Sequence, residues 1–289
     1  MKVLITGAGG QLGQSLLKSL PKEHQILAPS RSELDIVDLN NVRRAVREFQ
    51  PHVIVNAAAY TAVDKAESER ELAFAVNAVG TENLGRAALE YSARLIHLST
   101  DFVFDGKKSR PYLATDPMNP LGVYGKSKAE GEKRLHQIMG ESAIILRTGW
   151  LYAAEGRNFV KTILSLLKEG DSLNVIADQV GTPTWGKSLA GLIWMLVQRP
   201  EIRGIHHWSD AGVASWYDFA VAIQEEVVAL GLLKKTITIR PISTEEYLLP
   251  ALRPAYSVLE KQSTIATTGI TPDHWRMNLR SMLKELVDA

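Results

Sequence analysis

Short apolar runs and amphipathic stretches alternate through the first half of the chain. Apolar, β-favouring segments at residues 2–6, 25–28, 53–56, 94–99 and 143–147 predict buried strands. Between them, apolar side chains recur at helical spacing over residues 11–20, 39–49, 67–91 and a stretch that carries Tyr124 and ends near Met139. Asp38 stands where the second helix needs an N-cap. This alternation predicts an α/β fold, a doubly wound parallel sheet with helices on both faces.

The pattern becomes less regular after residue 150. Tryptophan and tyrosine become more frequent there, and proline recurs at positions 183, 241, 250, 254 and 272. We therefore expect a smaller, mixed α/β C-terminal domain. The predicted large domain comprises residues 1–150 with part of about 185–230, and the predicted small domain comprises about 151–184 and 231–289.

Composition narrows the class of protein without identifying it. The chain has 289 residues, of which 45% are hydrophobic and 22% are charged, as in globular proteins. A net charge of +1 argues against nucleic-acid binding, and the absence of cysteine argues against disulfides and thiolate metal sites. We find neither a signal-peptide pattern nor an apolar run long enough to span a membrane, so we expect a cytoplasmic protein.

A glycine-rich turn follows the first predicted strand. Gly7, Gly10 and Gly13 lie three residues apart, from the end of that strand into the first helix. Gly9 lies two residues after Gly7, the first gap of the commoner Gly-x-Gly-x-x-Gly motif. Strand, glycine turn and helix in this order are typical of Rossmann-like dinucleotide sites, in which the phosphates meet the N–H groups of the helix N-terminus. We expect Gly7 to allow the turn, Gly10 to admit the pyrophosphate, and Gly13 to let helix and strand pack closely.

The end of the second strand indicates which dinucleotide is bound. Ser30 and Arg31 would suit the 2′-phosphate of NADPH, whereas a carboxylate at this place would bind the ribose 2′-OH of NADH. Glu33 is near enough to leave NADH as the alternative. Asp35 and Ile36 would flank the adenine.

Tyr124 and Lys128 are four residues apart and therefore share one face of a helix. A free tyrosine has a pKa near ~10, and a neighbouring ammonium lowers it toward neutrality. Thr100, at the end of the fourth predicted strand, supplies a hydroxyl at the same edge of the sheet. A hydroxyl, a tyrosine and a lysine beside a nicotinamide would form a site that reduces a carbonyl group.

Longer motifs give a family resemblance. The glycine turn and the Tyr124-x-x-x-Lys128 pair resemble the extended short-chain dehydrogenases/reductases. Within that group, the segments at 56–67, 99–106, 158–159 and 178–184 and the pair Arg253-Pro254 resemble the dTDP-4-dehydrorhamnose reductases. The resemblance covers almost the whole chain. It implies NADPH-dependent reduction of the C4 ketone of dTDP-4-dehydro-β-L-rhamnose to dTDP-L-rhamnose, the last step of dTDP-rhamnose synthesis, which feeds cell-surface polysaccharide.

The resemblance also implies roles for individual residues. Tyr124 would be the general acid, Lys128 would tune it and bind the nicotinamide ribose, and Thr100 would bind the substrate oxygen. The implied cofactor contacts are Gly7, Gly9, Gly10, Gln11, Leu12, Gly13, Ser30, Arg31, Asp35, Ile36, Asn56, Ala57, Ala58, Ala59, Tyr60, Tyr124 and Lys128. The implied substrate contacts are Thr100, Asp101, Phe102, Phe104, Trp150, Asn158, Gln179, Thr182 and Arg253.

Some positions depart from the family pattern. Phe102 stands where tyrosine is common, and Gly122 replaces a frequent asparagine. Some relatives are Mg²⁺-linked dimers that use carboxylates on the first helix, but Gln14 and Ser15 occupy that stretch here. We therefore expect no metal there and leave the protein as a monomer or a homodimer. Two other functions stay open: a reductase or epimerase/reductase of another nucleotide-linked keto sugar, and a non-catalytic NADP-binding regulatory subunit.

Overall fold

The computed structural model describes residues 1–287. Its main feature is a parallel sheet of six strands in the order β10-β5-β4-β3-β1-β2. The strands are β1 (Lys2–Thr6), β2 (Gln25–Leu27), β3 (Val53–Asn56), β4 (Arg94–Thr100), β5 (Ile144–Thr148) and β10 (Gly204–His207). The chain runs outward from β1 to β2 and then crosses to β3 on the other side of β1. Parallel sheets bind ligands at such a reversal, so the topology places a crevice between β1 and β3.

Helices cover both faces of this sheet. They are α1 (Gln11–Lys18), α2 (Leu39–Phe49), α3 (Val63–Ala66), α4 (Arg70–Phe74), α5 (Gly80–Glu90), α6 (Val123–Met139) and α8 (Gly186–Gln198). Alternate side chains of β1 point to opposite faces: Val3 and Ile5 pack with α1 and α8, whereas Leu4 packs with α2, α5 and α6. Both faces are therefore buried, as the continuous apolar strand runs predict, and the predicted Rossmann-like fold is confirmed.

The predicted helix at residues 39–49 is confirmed with the same bounds, and the Asp38 carboxylate caps it by accepting hydrogen bonds from the N–H groups of Asn40 and Asn41. The predicted helical stretch over about residues 67–91 is confirmed for residues 70–90, but it is not α-helical throughout. Helix α3 stands apart, and a π-helical segment, Ala75–Val79, separates α4 from α5. Asn77, inside that segment, donates hydrogen bonds to the Tyr60 carbonyl and to the Ser127 hydroxyl of α6, so the widened turn matches a local tertiary contact.

The C-terminal part of the chain forms a second apolar core. Its elements include β6 (Leu151–Tyr152), α7 (Phe159–Glu169), β7 (Ser172–Ile176), β8 (Val180–Gly181), β9 (Thr184–Trp185), β11 (Ala214–Ser215), α9 (Trp216–Ala229), β12 (Thr238–Ile242), α10 (Gln262–Thr268) and α11 (Trp275–Val287). Phe219, Trp275 and Leu279 lie at the centre of this core. Strand β10 belongs to the large sheet, and helix α8 packs against that sheet. Helix α9, in contrast, packs with α7 and α11 in the second core. The division into two domains stays a prediction.

None of the helices in residues 1–287 has the length and apolar character needed to cross a bilayer. The same residues contain no group of three or more histidine, aspartate or glutamate side chains placed to hold a metal ion.

Candidate active site

The glycine turn connects β1 to α1 at the crevice between β1 and β3. Gly7 has a φ of +72°, and a Cβ there would lie 2.5 Å from the carbonyl carbon of Ala57. A Cβ on Gly13 would overlap the Gly7 carbonyl oxygen, so α1 can pack this closely on the turn only because position 13 is glycine. The residue facing open space is Gly9, not Gly10. The prediction that Gly10 provides the open approach is therefore better met by Gly9.

A groove of about 380 Å³ runs from this turn along the ends of β1, β2 and β3. No side chain caps the N-terminus of α1, so its first N–H groups are left for a ligand. Most of the predicted cofactor contacts line the groove: Gly7, Gly9, Gly10, Ser30, Arg31, Asp35, Ile36, Ala57, Ala58, Ala59 and Tyr60. Thr6, Ala8, Pro29, Leu34 and Val76 complete the lining. The groove has the shape and the free backbone donors that a dinucleotide needs.

Leu12, Gly13, Gln11 and Asn56 support the groove without lining it. Leu12 is buried in the core, and the Gln11 side-chain oxygen accepts a hydrogen bond from Asn158. Asn56 is fully buried, and its side-chain oxygen accepts hydrogen bonds from the Thr6 hydroxyl and from the N–H of Ala58. The direct cofactor contact predicted for Asn56 is not supported, because its amide is used within the protein.

The far end of the groove carries an exposed arginine, Arg31. The Glu33 carboxylate accepts hydrogen bonds from the N–H and hydroxyl of Ser30 and faces a separate depression beside α2. Arg31 is exposed and lines the groove, while Asp35 caps the N–H of Val37. The arrangement therefore presents a guanidinium to the cofactor and turns the Glu33 carboxylate away, which suits a 2′-phosphate.

Thr100, Tyr124 and Lys128 come together beside the groove. Thr100 ends β4, two residues after Leu98, whose carbonyl accepts a hydrogen bond from Lys128. The ring of Phe102, two residues beyond Thr100, packs against Tyr124. Helix α6, which carries Tyr124 and Lys128, begins where it does because the Glu67 carboxylate accepts a hydrogen bond from the N–H of Val123. Gly122 is the position where the family frequently has asparagine. A Cβ there would lie 2.8 Å from the Glu67 carboxylate, so glycine leaves room for this side chain.

The pKa values of Tyr124 and Lys128 differ from our expectation. Burial raises the pKa of Tyr124 to about 12, and the nearby Asp101 carboxylate adds to this, while Thr100 opposes it. Burial also lowers the pKa of Lys128 to about 8, against the attraction of Glu132. The pKa of Tyr124 is therefore not lowered toward neutrality as predicted, because the loss of solvation dominates both groups.

A buried polar network behind Lys128 was not predicted. His97 on β4 lies against Lys128, and Glu132, one turn further along α6, forms an ion pair with Arg147 of β5 (2.6 Å) and accepts a hydrogen bond from Ser99. Two signals in the sequence could have revealed it. Tyr124, Lys128 and Glu132 share a stripe at i, i+4 and i+8, and His97 interrupts an apolar strand.

The predicted substrate contacts are less uniform than the cofactor contacts. Phe102 packs its ring edge against Tyr124, with centroids 5.6 Å apart. Asp101 is buried beside Gly149, and burial raises its pKa to about 6. The prediction for Phe104 is wrong: its side chain is 0% exposed and stacks on Tyr112 at 4.2 Å within a small apolar cluster.

Other predicted substrate contacts are engaged within the protein. Asn158 caps α7, and its side-chain amide donates to the Ala153 carbonyl and to Gln11. Gln179 and Thr182 are buried, and they donate to the Thr244 hydroxyl and the Gly212 carbonyl. These donors are therefore used within the protein, and direct contact of the three residues with the substrate stays a prediction.

Trp150 and Arg253 lie at the edge of the site. Trp150 has a φ of +50°, a strained conformation for a bulky residue, and its ring stacks on Trp216 with centroids 3.4 Å apart. Both terminal nitrogens of Arg253 donate to the Asp64 carboxylate, at 3.0 and 2.8 Å. The Arg253 guanidinium therefore has an internal partner that a substrate phosphate would have to replace.

Comparison with known proteins identifies the family. The protein-family model described as the RmlD substrate binding domain matches residues 1–288 of the sequence. The chain belongs to the dTDP-4-dehydrorhamnose reductase family. A member named dTDP-4-dehydrorhamnose reductase from Aggregatibacter actinomycetemcomitans is 43% identical over 288 residues, which cover 97% of this chain and 98% of the relative.

Solved structures of the family agree with this fold. The reductase from Clostridium acetobutylicum superposes with a TM-score of 0.93 at 39% identity, covering 99% of this chain and 100% of that one. The reductase from Bacillus anthracis, solved in complex with NADP, gives a TM-score of 0.92 at 36% identity, covering 98% and 99%. The predicted dTDP-4-dehydrorhamnose reductase resemblance is confirmed.

Proposed function

We propose that this protein reduces the C4 ketone of dTDP-4-dehydro-β-L-rhamnose with NADPH, giving dTDP-L-rhamnose. The observation that carries the proposal is the convergence of Thr100, Tyr124 and Lys128 at the end of β4, next to the strands that form the dinucleotide groove, in a chain 43% identical to a dTDP-4-dehydrorhamnose reductase. Bound NADPH would supply the hydride for the ketone carbon. The cytoplasm as the place of action, and a monomeric or homodimeric state, stay predictions.

The groove fits the cofactor at both ends. A Cβ at Gly7 or Gly13 would fill the turn, so the glycines keep a cradle of backbone N–H groups for the pyrophosphate. Arg31 at the other end offers a guanidinium, whose planar donors suit a phosphate. The NADP complex of the Bacillus anthracis relative supports NADPH over NADH.

Tyr124 would hold the proton that the ketone oxygen receives. With a pKa raised to about 12, its hydroxyl is fully protonated at neutral pH and can donate a hydrogen bond to the substrate oxygen. Thr100 would orient that oxygen and the phenol together. Lys128 would stabilise the phenolate left after proton donation, because an ammonium in a buried place is attracted strongly to a neighbouring anion.

The decisive experiment follows NADPH absorbance with three keto sugars that differ only in the nucleotide: dTDP-, UDP- and GDP-linked 4-keto-6-deoxyhexoses. We expect oxidation of NADPH with the dTDP compound and formation of dTDP-L-rhamnose. Oxidation with the UDP or GDP compound alone would replace the proposed substrate by another nucleotide sugar. A folded protein that binds NADPH but oxidises none of the three would contradict the proposal and favour a regulatory subunit.

A further inference from the structure

A line of buried polar side chains connects Lys128 to the glycine turn. The Lys128 amine lies 3.4 Å from Nε2 of His97, and Nδ1 of His97 lies 3.0 Å from the side-chain nitrogen of Asn56. The side-chain oxygen of Asn56 in turn accepts the Thr6 hydroxyl at 2.8 Å. All four residues are at most 2% exposed, so their polar atoms must find hydrogen-bond partners within the protein.

The orientation of Asn56 fixes the tautomer of His97. The Asn56 oxygen also accepts the N–H of Ala58, a group that can only donate, so the oxygen points away from His97 and the NH₂ group points toward it. An NH₂ group can only donate, and Nδ1 of His97 must therefore accept. The pKa of His97 is held well below its ordinary value by burial and by Lys128, so the ring is neutral and its single proton is on Nε2.

That proton faces Lys128. If Lys128 is an ammonium, two donors oppose each other across 3.4 Å; if it is an amine, its lone pair accepts the Nε2–H. His97 therefore favours the uncharged form of Lys128. The Leu98 carbonyl, which accepts a hydrogen bond from the same nitrogen, and the Glu132 carboxylate favour the charged form.

The titratable and charged groups around Lys128 come from each neighbouring element. His97 faces it from β4, and Glu132 and Tyr124 lie one turn away on α6 itself. Arg147 of β5 pairs with Glu132, and Asp101 acts on Tyr124. Among these, His97 is the group whose contact with Lys128 reverses in sign when Lys128 loses its proton.

We propose that His97 is a positioning residue whose Nε2–H, held toward Lys128 by Asn56, sets the pH above which the catalytic pair loses its cation and its activity. The idea rests on the proposed function, since it assumes that the reductase needs Lys128 charged. The sequence motif gives Tyr124 and Lys128 but not this partner, which only the packing of β4 on α6 brings into contact.

The test is the pH profile of kcat/KM for His97→Gln. A glutamine amide can turn its oxygen toward Lys128, which replaces a donor by an acceptor and should move the alkaline limb upward by about one pH unit. The matched control is His206→Gln, because His206 is also buried but lies on β10, where its ring contacts the Arg203 carbonyl and not Lys128. An alkaline limb that stays in place in His97→Gln, or that moves equally in both variants, would overturn the proposal.

A second measurement does not depend on activity. In protein labelled with ¹⁵N-histidine, the signals lost in His97→Gln identify the His97 ring, and their chemical shifts report which nitrogen carries the proton. We expect the Nε2–H form across the neutral range; a proton on Nδ1 would refute the inference even if His97→Gln does not fold. If the wild-type protein oxidises no keto sugar, the proposed function fails, while the tautomer still tests the geometry.

Discussion

The cofactor groove and the predicted substrate contacts, called here the cofactor side and the substrate side of the site, offer their ligands different kinds of groups. On the cofactor side, the recognising groups are mostly backbone: the turn at Gly7, the free N–H groups at the start of α1, and the strand end at Ala57. On the substrate side, the predicted contacts are side chains, and several of them, such as Asn158 and Arg253, are already bonded within the protein.

This difference explains why most predicted cofactor contacts line one groove, whereas the predicted substrate contacts do not share one surface. A glycine motif constrains the backbone directly, so its sequence specifies the turn and the groove follows. A side chain is available to a ligand only if no neighbour uses it, and its neighbours come from distant parts of the chain. The following predictions test whether the two sides really differ in this way.

The largest effect is expected where the two sides meet. Tyr124→Phe removes the proton donor but keeps the ring against Phe102, so turnover should fall by about 10²–10⁴-fold, the usual share of general acid catalysis. NADPH affinity should change little, because the groove is built by backbone groups. Steady-state kinetics and NADPH fluorescence titration measure the two quantities.

Tyr152→Phe is the matched control for that variant. Tyr152 is equally a tyrosine, but it is buried in the C-terminal core, where its hydroxyl donates to the Trp275 carbonyl. Its turnover should stay near that of the wild-type protein. Near-normal turnover in Tyr124→Phe would remove Tyr124 from the role of acid.

The next effect concerns stability on the substrate side. Because Phe104 is core and not a contact, Phe104→Ala should cost about 3–5 kcal/mol in the free energy of unfolding, as for other buried phenylalanines. KM for the sugar nucleotide should remain unchanged in the folded fraction. Denaturant unfolding and kinetics on the milder Phe104→Leu, expected to cost about 1 kcal/mol, provide both readouts.

Phe102→Ala tests the neighbouring phenylalanine, which we expect to affect catalysis more than stability. Phe102 is only partly buried and packs against Tyr124, so its loss should raise KM or lower kcat with a smaller cost in stability. If instead Phe104→Leu raises KM and leaves stability intact, the original prediction of a substrate contact at Phe104 is restored.

A smaller effect is expected on the cofactor side. Gly13→Ala places a methyl group on the Gly7 carbonyl oxygen and should cost about 1–3 kcal/mol, the range for overpacking, together with weaker NADPH binding. Gly191→Ala, in α8, is the control: apart from the backbone of its own helix, no atom of residues 1–287 lies within 4 Å of a Cβ there, so it should keep or slightly raise stability. Equal melting temperatures for the two variants would show that the turn tolerates side chains.

Much of the fold could be predicted from the sequence because its signals are local. The strand and helix alternation, the Asp38 cap and the glycine turn each depend on neighbouring residues, and the structure contains all three. The pKa of Tyr124, the burial of Phe104 and the contact of His97 with Lys128 depend on residues from other elements. Periodicity carries no information about those pairings, so reasoning from sequence missed them.

The smallest predicted effect concerns the ion pair between Arg253 and Asp64. The guanidinium holds the pKa of Asp64 below its ordinary value, and both side chains are partly exposed, so the pair should contribute no more than about 1 kcal/mol. If Arg253 moves to the substrate diphosphate, Asp64→Asn removes a competitor and should lower KM by about two- to fivefold, a change within that energy. Asp171→Asn is the control for the loss of a carboxylate charge, because Asp171 pairs with Lys235 in a more exposed ion pair, and its KM should not change. A higher KM in Asp64→Asn would mean that the ion pair orients Arg253 for the substrate, so that the substrate side, like the cofactor side, is built before its ligand arrives.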